Sequence, residues 1–363
     1  MRARIRNKYD DKYSVTVQLP QTPLELYDIL DRLGVDNKYC NVYMNIDDER
    51  IPKAMCDGGF YDDLFKLNFL AQRLEQMSPA YTAGFTAVLT AHEDYNLDDL
   101  ILVTYGLDAY PIYPCRDYTE LGEVVIDNNM IPEVENCPDE LVEYLDNAAI
   151  GKLAAEQFRG TFIGGYYCEV SDYEPPDMKI TIDKPLRNEF QILIGETEKT
   201  AQWCPMPYNG EYTEEQVYEL RSPLPYIDHV ENISKLNELA EKVGALDNAD
   251  FVKLKAVMEL GEIENEEGAI EVIDSLSEFE FDPLPRDENS YGKKYLQKLL
   301  PQDFDIEVLE VANLADIGSR ILEAKGGMVT SYGIISGQGQ ELYAPLCQEQ
   351  EHNEDEEMEA SLT

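Results

Sequence analysis

Carboxylates dominate the chemistry open to this chain: it carries 73 Asp and Glu against 29 Lys and Arg and only 3 His, a formal net charge of −44. Side chains of this kind can ligate a divalent cation, or can work in pairs as the acid and base of a hydrolase. A calcium loop needs oxygen ligands at fixed alternating positions, a glycine at the sixth and a closing Glu. In Asp247-Asn-Ala-Asp-Phe-Val-Lys, Ala249 and Phe251 stand where ligands belong. Glu93-Asp94 with Asp98-Asp99 would hold a divalent ion loosely, but helix capping and solvation account for them as well. Paired-carboxylate hydrolysis needs one carboxyl in an apolar pocket beside another, and no pattern isolates such a pair. The histidines, His92, His229 and His352, do not group, and no H-E-x-x-H, G-x-S-x-G, Walker loop or G-x-G-x-x-G before a helix occurs. Ser336-Gly-Gln-Gly reads as a turn. Seven widely spaced cysteines (Cys40, Cys56, Cys115, Cys137, Cys168, Cys204, Cys347) with no C-x-x-C pair read as buried thiols rather than a disulfide frame or a zinc site. The expectation is a protein without catalytic residues, metal or cofactor.

A strong polyanion repels nucleic acids and anionic membranes, whose binding requires Lys and Arg, so its partner is expected to be a basic surface. The acids are concentrated. Residues 91–150 hold 15 carboxylates and one base, Arg116, and residues 261–317 hold 16 against 4. The candidate partner-binding carboxylates in the first segment are Glu93, Asp94, Asp98, Asp99, Asp108, Asp117, Glu120, Glu123, Asp127, Glu133, Glu135, Asp139, Glu140, Glu143 and Asp146. In the second they are Glu262, Glu264, Glu266, Glu267, Glu271, Asp274, Glu278 and Glu280. Solubility of a small domain needs a net charge of only about 2–8. Duplex DNA carries about one charge per 1.7 Å, so 44 charges match roughly 75 Å, or about 22 base pairs. Carboxylates that imitate phosphates in a basic DNA groove fit that density.

These residues must be positioned by a duplicated scaffold. Leu67 to Leu74 (LNFLAQRL) returns as Leu236 to Val243 (LNELAEKV), and Phe85-Thr-Ala-Val-Leu89 as Leu254-Lys-Ala-Val-Met258. Arg116-Asp117 with Leu121-Gly122 returns as Arg286-Asp287 with Tyr291-Gly292, and Ala148-Ala-Ile-Gly151 as Ala315-Asp-Ile-Gly318. Ordered matches at nearly constant offset imply two copies of one unit. The expected organisation is a first copy over 1–170, a linker over 171–183, a second copy over 184–347 and an acidic disordered tail over 348–363. Residues 1–180 carry −18, and the second copy carries −19 without its −7 tail.

The expected fold class is α+β, each copy an elongated unit with a small α/β first part, a helical middle and a short closing α/β piece. The helical middle follows apolar spacing from Leu64 to Met77 and from Ile233 to Val243, and Ser78-Pro79 and Asp247-Asn248 each restart a helix. Strands are expected at Tyr13–Leu19 and Phe190–Ile194, and helices at Leu24–Leu33 and at Thr213–Leu220, the last on a Thr-x-x-Gln capping box. Helices over Ile150–Gly160 and Ile317–Gly327 should stop at glycine, each followed by a β-like stretch, Phe162–Tyr167 and Val329–Ile335. The alternating start Arg2-Ala-Arg-Ile-Arg-Asn-Lys suggests an edge strand guarded by its bases. No run approaches 18 apolar residues and the start has no apolar signal core, so a cytoplasmic protein is expected.

The unit resembles ArdA-type antirestriction proteins, acidic mimics of B-form DNA carried by conjugative elements and phages. The matching pieces are Leu67-Asn-x-Leu-Ala and Leu236-Asn-x-Leu-Ala, Pro138-Asp-Glu-Leu-Val-Glu-Tyr-Leu-Asp146 followed by Ala149-Ile-Gly151, and the closing stretches Phe162–Tyr167 and Val329–Ile335. Trp203 with Pro205 and Pro207 resembles the turn near the family's start. The resemblance implies elongated units that pair so that a curved line of carboxylates imitates bent DNA. It implies a target, the methyltransferase and specificity core of type I restriction-modification enzymes in a bacterial cell. Duplication departs from the family's single unit and leaves open a homodimer or an intrachain pseudo-dimer. The second copy has Phe304-Asp-Ile-Glu-Val-Leu in place of Pro-Asp-Glu-Leu. A decoy for another basic protein, such as a nucleoid protein, nuclease or other defence complex, and a carboxylate-based hydrolase stand as the alternatives.

Overall fold

The computed structural model describes residues 1–8, 10–35, 40–91, 95–211, 213–299 and 313–337. It is an α+β protein with several small antiparallel sheets. The chain divides into two compact units, Met1–Thr22 with Lys38–Lys184 (unit 1) and Pro23–Asn37 with Pro185–Thr363 (unit 2). Glu93, Asp94, Phe304-Asp-Ile-Glu-Val-Leu, Cys347 and the tail at 348–363 lie outside the described residues.

Unit 1 opens with β1 (Arg2–Asn7) and β2 (Asp10–Gln18). The next element in the chain, α1 (Pro23–Arg32), belongs to unit 2. Then come β3 (Asn41–Asp47), α2 (Lys53–Gly58) and β4 (Phe60–Asp63), giving a sheet of order β2-β1-β3-β4. β1 is therefore an inner strand, hydrogen-bonded on both sides, and not the edge strand expected from its sequence. Its alternation sends Ala3 and Ile5 into the core and Arg2 and Arg4 to solvent. Such a pattern reports which face is buried and is silent on how many neighbours the strand has.

The helical middle is α3 (Leu64–Gln76), α4 (Pro79–Ala91) and α5 (Leu97–Gly106). Asp63 caps α3 through the Phe65 amide, and Leu64, Leu67, Leu70, Ala71 and Leu74 form its buried face. A short strand β5 (Ile112–Tyr113) follows, then α6 (Tyr118–Asp127), the single turns α7 (Pro132–Glu135) and α8 (Asp139–Val142), and α9 (Asn147–Phe158). The unit closes on β6 (Thr161–Ile163) and β7 (Tyr166–Cys168). The Phe162–Tyr167 stretch is thus a hairpin, turned at Gly164-Gly165 with φ of 59° and 86°. α9 ends on left-handed Arg159 (φ 55°), one residue before the glycine expected to stop it. Residues 171–183 form no helix or strand, and Tyr173 among them is buried.

Unit 2 begins its second stretch with β8 (Gln191–Ile194), β9 (Gln202–Pro205) and β10 (Val217–Arg221), in the order β10-β8-β9. The helix expected at Thr213–Leu220 is replaced by one 3₁₀ turn, Glu214–Gln216, running into β10. The capping box does form, with the Thr213 amide 3.0 Å from Gln216 Oε1. A capping box starts a turn but does not lengthen it, and β-branched Val217 and, past a bulge at Tyr218, Glu219, Leu220 and Arg221 pair with β8 instead. The remainder is α10 (Ile233–Ala245), α11 (Asn248–Gly261), α12 (Glu266–Ser275), β11 (Phe279–Asp282), α13 (Glu288–Leu299), α14 (Leu314–Lys325), β12 (Met328–Thr330) and β13 (Gly333–Gly337). Val329–Ile335 is again a hairpin rather than one strand. Ser336 and Gly337 lie inside β13, not in a turn, and Gln338 and Gly339 fall outside the described residues.

From α3 to β7 and from α10 to β13 the same elements recur in one order: two long helices, a third with a 3₁₀ extension, a strand, a crossed helix pair and a hairpin. The glycines matched between the two halves have a shared mechanical role. A Cβ on Gly122 would stand 1.8 Å from the Asn147 carbonyl oxygen, and one on Gly151 1.8 Å from that of Tyr118. In unit 2, Gly292 and Gly318 meet Leu314 and Glu288 at 2.1 and 1.8 Å in the same way. Helices α6 and α9, and α13 and α14, therefore cross backbone against backbone, which only glycine permits.

Candidate functional site

In unit 1 the strongest concentration of acids follows α6. Asp117, Glu120, Glu123 and Asp127 recur at intervals of three, three and four residues, so Glu120, Glu123 and Asp127 fall on one stripe of the helix. Leu121, Gly122 and Val125 occupy the opposite, buried face. Asp117 is the N-cap and accepts from the amides of Thr119 and Glu120; Glu120 accepts the Arg116 amide at 2.8 Å. The acids continue through α7 and α8, where Glu133, Glu135, Asp139, Glu140 and Glu143 are all exposed. Ile131 and Val134 anchor that segment to a satellite core with Leu121, Val125 and Tyr167. Asp146 caps α9 through the Ala149 amide at 2.9 Å.

Several predicted carboxylates have local duties. Asp99 completes a capping box with Asn96, Asp98 pairs with Lys66 at 2.8 Å, and Asp108 accepts the Tyr81 hydroxyl. The side chains of Asp127, Glu135, Asp139, Glu140 and Glu143 make no hydrogen bond or ion pair among the described residues, and Leu141 and Tyr144 stand exposed beside them at 53% and 76%.

Unit 2 moves its acids to another helix. The α13 positions matching Asp117, Glu120, Glu123 and Asp127 hold Asp287, Ser290, Lys293 and Gln297, so that stripe is gone. On α12 and its 3₁₀ extension, Glu267, Glu271, Asp274 and Glu278 recur at intervals of four, three and four, all exposed on one stripe. Lys235 reaches Glu267 at 3.6 Å and Lys242 pairs with Asp274, so Glu271 and Glu278 are the stripe's acids without a basic partner among the described residues. Glu262, Glu264 and Glu280 are also exposed. Glu266 is not part of this surface. It is 2% exposed and accepts the Glu231 amide at 3.0 Å, because the residue next to an exposed helical stripe faces the core.

Sequence reasoning missed a second constellation, buried in unit 2. Lys255 on α11, 1% exposed, lies 3.1 Å from Asp28 Oδ1 and 2.8 Å from Asp31 Oδ2 on α1. Arg32 Nε pairs with Asp28 at 2.8 Å, Arg187 pairs with Asp31, and the Tyr332 hydroxyl donates to Asp28 at 2.7 Å. Burial pushes the Asp28 carboxyl up, but Lys255, Arg32 and Tyr332 outweigh it and hold Asp28 below the usual carboxylate range. Burial, with Asp28 alongside, pushes the Tyr332 hydroxyl well up. A carboxylate so depressed is a poor general base at neutral pH, and every acid in the cluster has a cationic partner. The cluster fastens α1 to unit 2. Lys255 sits among buried Phe251, Leu254, Ala256, Val257 and Met258, and that intrusion into an apolar run was its only trace in the sequence.

Among the described residues, no group of three or more His, Cys, Asp or Glu is placed to hold a metal ion, and no helix is long and apolar enough to cross a membrane. Four of the six described cysteines are buried, and burial pushes the Cys168 thiol up to about 11. No protein-family model matches the chain, and no curated protein matches it.

Proposed function

We propose that the chain is a non-enzymatic antirestriction protein, an acidic mimic of B-form DNA. In this reading it occupies the DNA groove in the methyltransferase and specificity core of type I restriction-modification enzymes and so protects incoming mobile DNA. The carrying observation is the run of ten carboxylates in unit 1 from Asp117, the cap of α6, to Asp146, the cap of α9, with no basic side chain among those residues. With a rise of about 1.5 Å per residue, Glu120, Glu123 and Asp127 lie roughly 5 Å apart along α6. Phosphates on one DNA strand advance about 3.4 Å each, so one helical stripe approaches the charge density of a strand. The fully exposed stripe on α12 supports the same reading in unit 2, and the repeated element order supports duplication of one ancestral unit.

Recognition by charge density needs no catalytic residue, metal or cofactor, and it targets a protein groove rather than nucleic acid or membrane. The testing experiment is plasmid transfer into cells with and without a type I system. Protection confined to the former agrees with the proposal, and protection in neither, or equally in both, refutes it. Affinity capture from restriction-proficient cells identifies the partner: methyltransferase and specificity subunits agree, whereas another basic DNA-binding protein shifts the reading to a general acidic decoy.

A further inference from the structure

The two units depart from each other most sharply at the face where the crossed helices meet the closing hairpin. Strand register makes Tyr113 equivalent to Asp282, Tyr167 to Ile334 and, one pleat on, Glu169 to Ser336. The glycine crossings make Val124, Val125 and Asn128 equivalent to Lys294, Tyr295 and Lys298, and Phe158 equivalent to Lys325. In unit 1, Tyr113, Val124, Val125, Phe158 and Tyr167 join one apolar core. In unit 2, among the described residues, Tyr291, Leu322 and Ile334 form the core there, with Ile321 and Val329 against it, beside a cleft of about 370 Å³. Three lysines line it, Lys294, Lys298 and Lys325, together with Tyr291, Tyr295 and Ser336.

The unit 1 positions matching Lys294 and Lys325, Val124 and Phe158, pack against an apolar core, whereas Asn128, the match of Lys298, is polar and exposed, as Lys298 and Lys325 are. Lys294 is neutralised by Asp282, with Nζ 2.6 Å from Oδ1. Lys325 stands 6.0 and 5.8 Å from the ring centres of Tyr291 and Tyr295. Lys298 and Lys325 have no carboxylate within ion-pair distance among the described residues, and Glu280 is the other acid lining the cleft. Three lysines from two helices thus line one cleft in a chain of net charge −44. We propose that this cleft binds a phosphate group, free or as a monoester. Compact ammonium charges approaching from several directions, with a serine hydroxyl nearby, suit an oxyanion with three or more oxygens. A planar carboxylate is better met by the fork of an arginine, and no arginine lines the cleft. The volume lies within the usual range of small-ligand sites.

The test is calorimetric titration of the full chain with inorganic phosphate and, separately, with a nucleoside 5′-monophosphate, at matched ionic strength in chloride. Saturable binding is expected, weakened by about tenfold or more in Lys298→Gln/Lys325→Gln, which loses two of three charge-assisted partners. Lys152→Gln, at an exposed lysine of unit 1, leaves it unchanged. Tighter binding of the monoester identifies an organic phosphate as the ligand, and equal binding identifies free phosphate. Trp203 fluorescence confirms that the double variant remains folded. Absence of saturable binding of both probes, or binding that the folded double variant retains in full, overturns the proposal.

Discussion

Replacing Lys255 by methionine tests whether the buried charges fasten α1. Lys255 is 1% exposed and bridges Asp28 and Asp31 at 3.1 and 2.8 Å. Removing one partner of a buried ion pair costs about 3–5 kcal/mol, because a charge is left uncompensated away from water. Here Asp28 keeps Arg32 and Asp31 keeps Arg187, so the lower end, about 3 kcal/mol, is expected. For a unit of this size, about 2–4 °C per kcal/mol makes that a fall of roughly 6–12 °C in Tm. The chain has one tryptophan, Trp203 on β9, so its fluorescence reports unit 2 selectively during a melt. The pH dependence follows with a definite sign. Asp28 is held low in the folded state, so its contribution is present above the unfolded pKa of about 3.9 and is lost as pH falls through the lower folded value. Without Lys255 the folded pKa rises toward the unfolded one, so the acid-induced loss of this contribution is smaller and is complete at a higher pH. A Tm within about 2 °C of wild type, less than 1 kcal/mol at this size, would refute the clasp.

Gly122→Ala and Gly318→Ala are expected to lose at least 1–3 kcal/mol, the typical overpacking cost of about that size, since each new methyl group meets a carbonyl oxygen at 1.8 Å. Gly244→Ala in α10 has nothing within 4 Å and should stabilise by about 0.5–1 kcal/mol; urea unfolding measures all three. Arg159→Gly relieves a left-handed residue at the end of α9 and should stabilise by about 1 kcal/mol in the same assay. Single neutralisation of Glu120, Glu123 or Asp127 should change inhibition of restriction by only a few-fold, consistent with exposed charges worth about 0.2–1 kcal/mol each. The triple variant Glu120→Gln/Glu123→Gln/Asp127→Asn should lose more than any single one; a complete loss from one substitution with the fold intact would indicate a localised active or metal site.

Local patterns carried the helical half of this fold. Apolar spacing placed α3 and α10, and the side chains of Asp63 and Asp247 cap α3 and α11 as their sequence context implies. Failures arose where distant pairing decides. The Thr213 capping box is real, yet β8 draws the following residues into a strand. The alternation in β1 gave its buried face, but only the approach of β3 made it an inner strand. Matching glycines were visible as a repeat, whereas their reason, contact between helix backbones, depends on geometry. The acidic surface was legible as composition and its arrangement was not. Helical phase assigns Glu120 and Glu123 to one stripe and buries Glu266, and equivalent helices in the two units divide the acids differently. Asp31 and Lys255 lie 224 residues apart, and no local pattern links them.

The central claim is occupation of a DNA groove, and direct competition tests it. A labelled duplex bound to a type I methyltransferase–specificity core is titrated with the full chain at several salt concentrations. Mutually exclusive binding is expected, with the duplex displaced completely and the logarithm of the chain's association constant falling linearly with the logarithm of salt concentration, as for DNA itself. A ternary complex that retains the duplex, or an affinity indifferent to salt, would contradict mimicry of the DNA backbone.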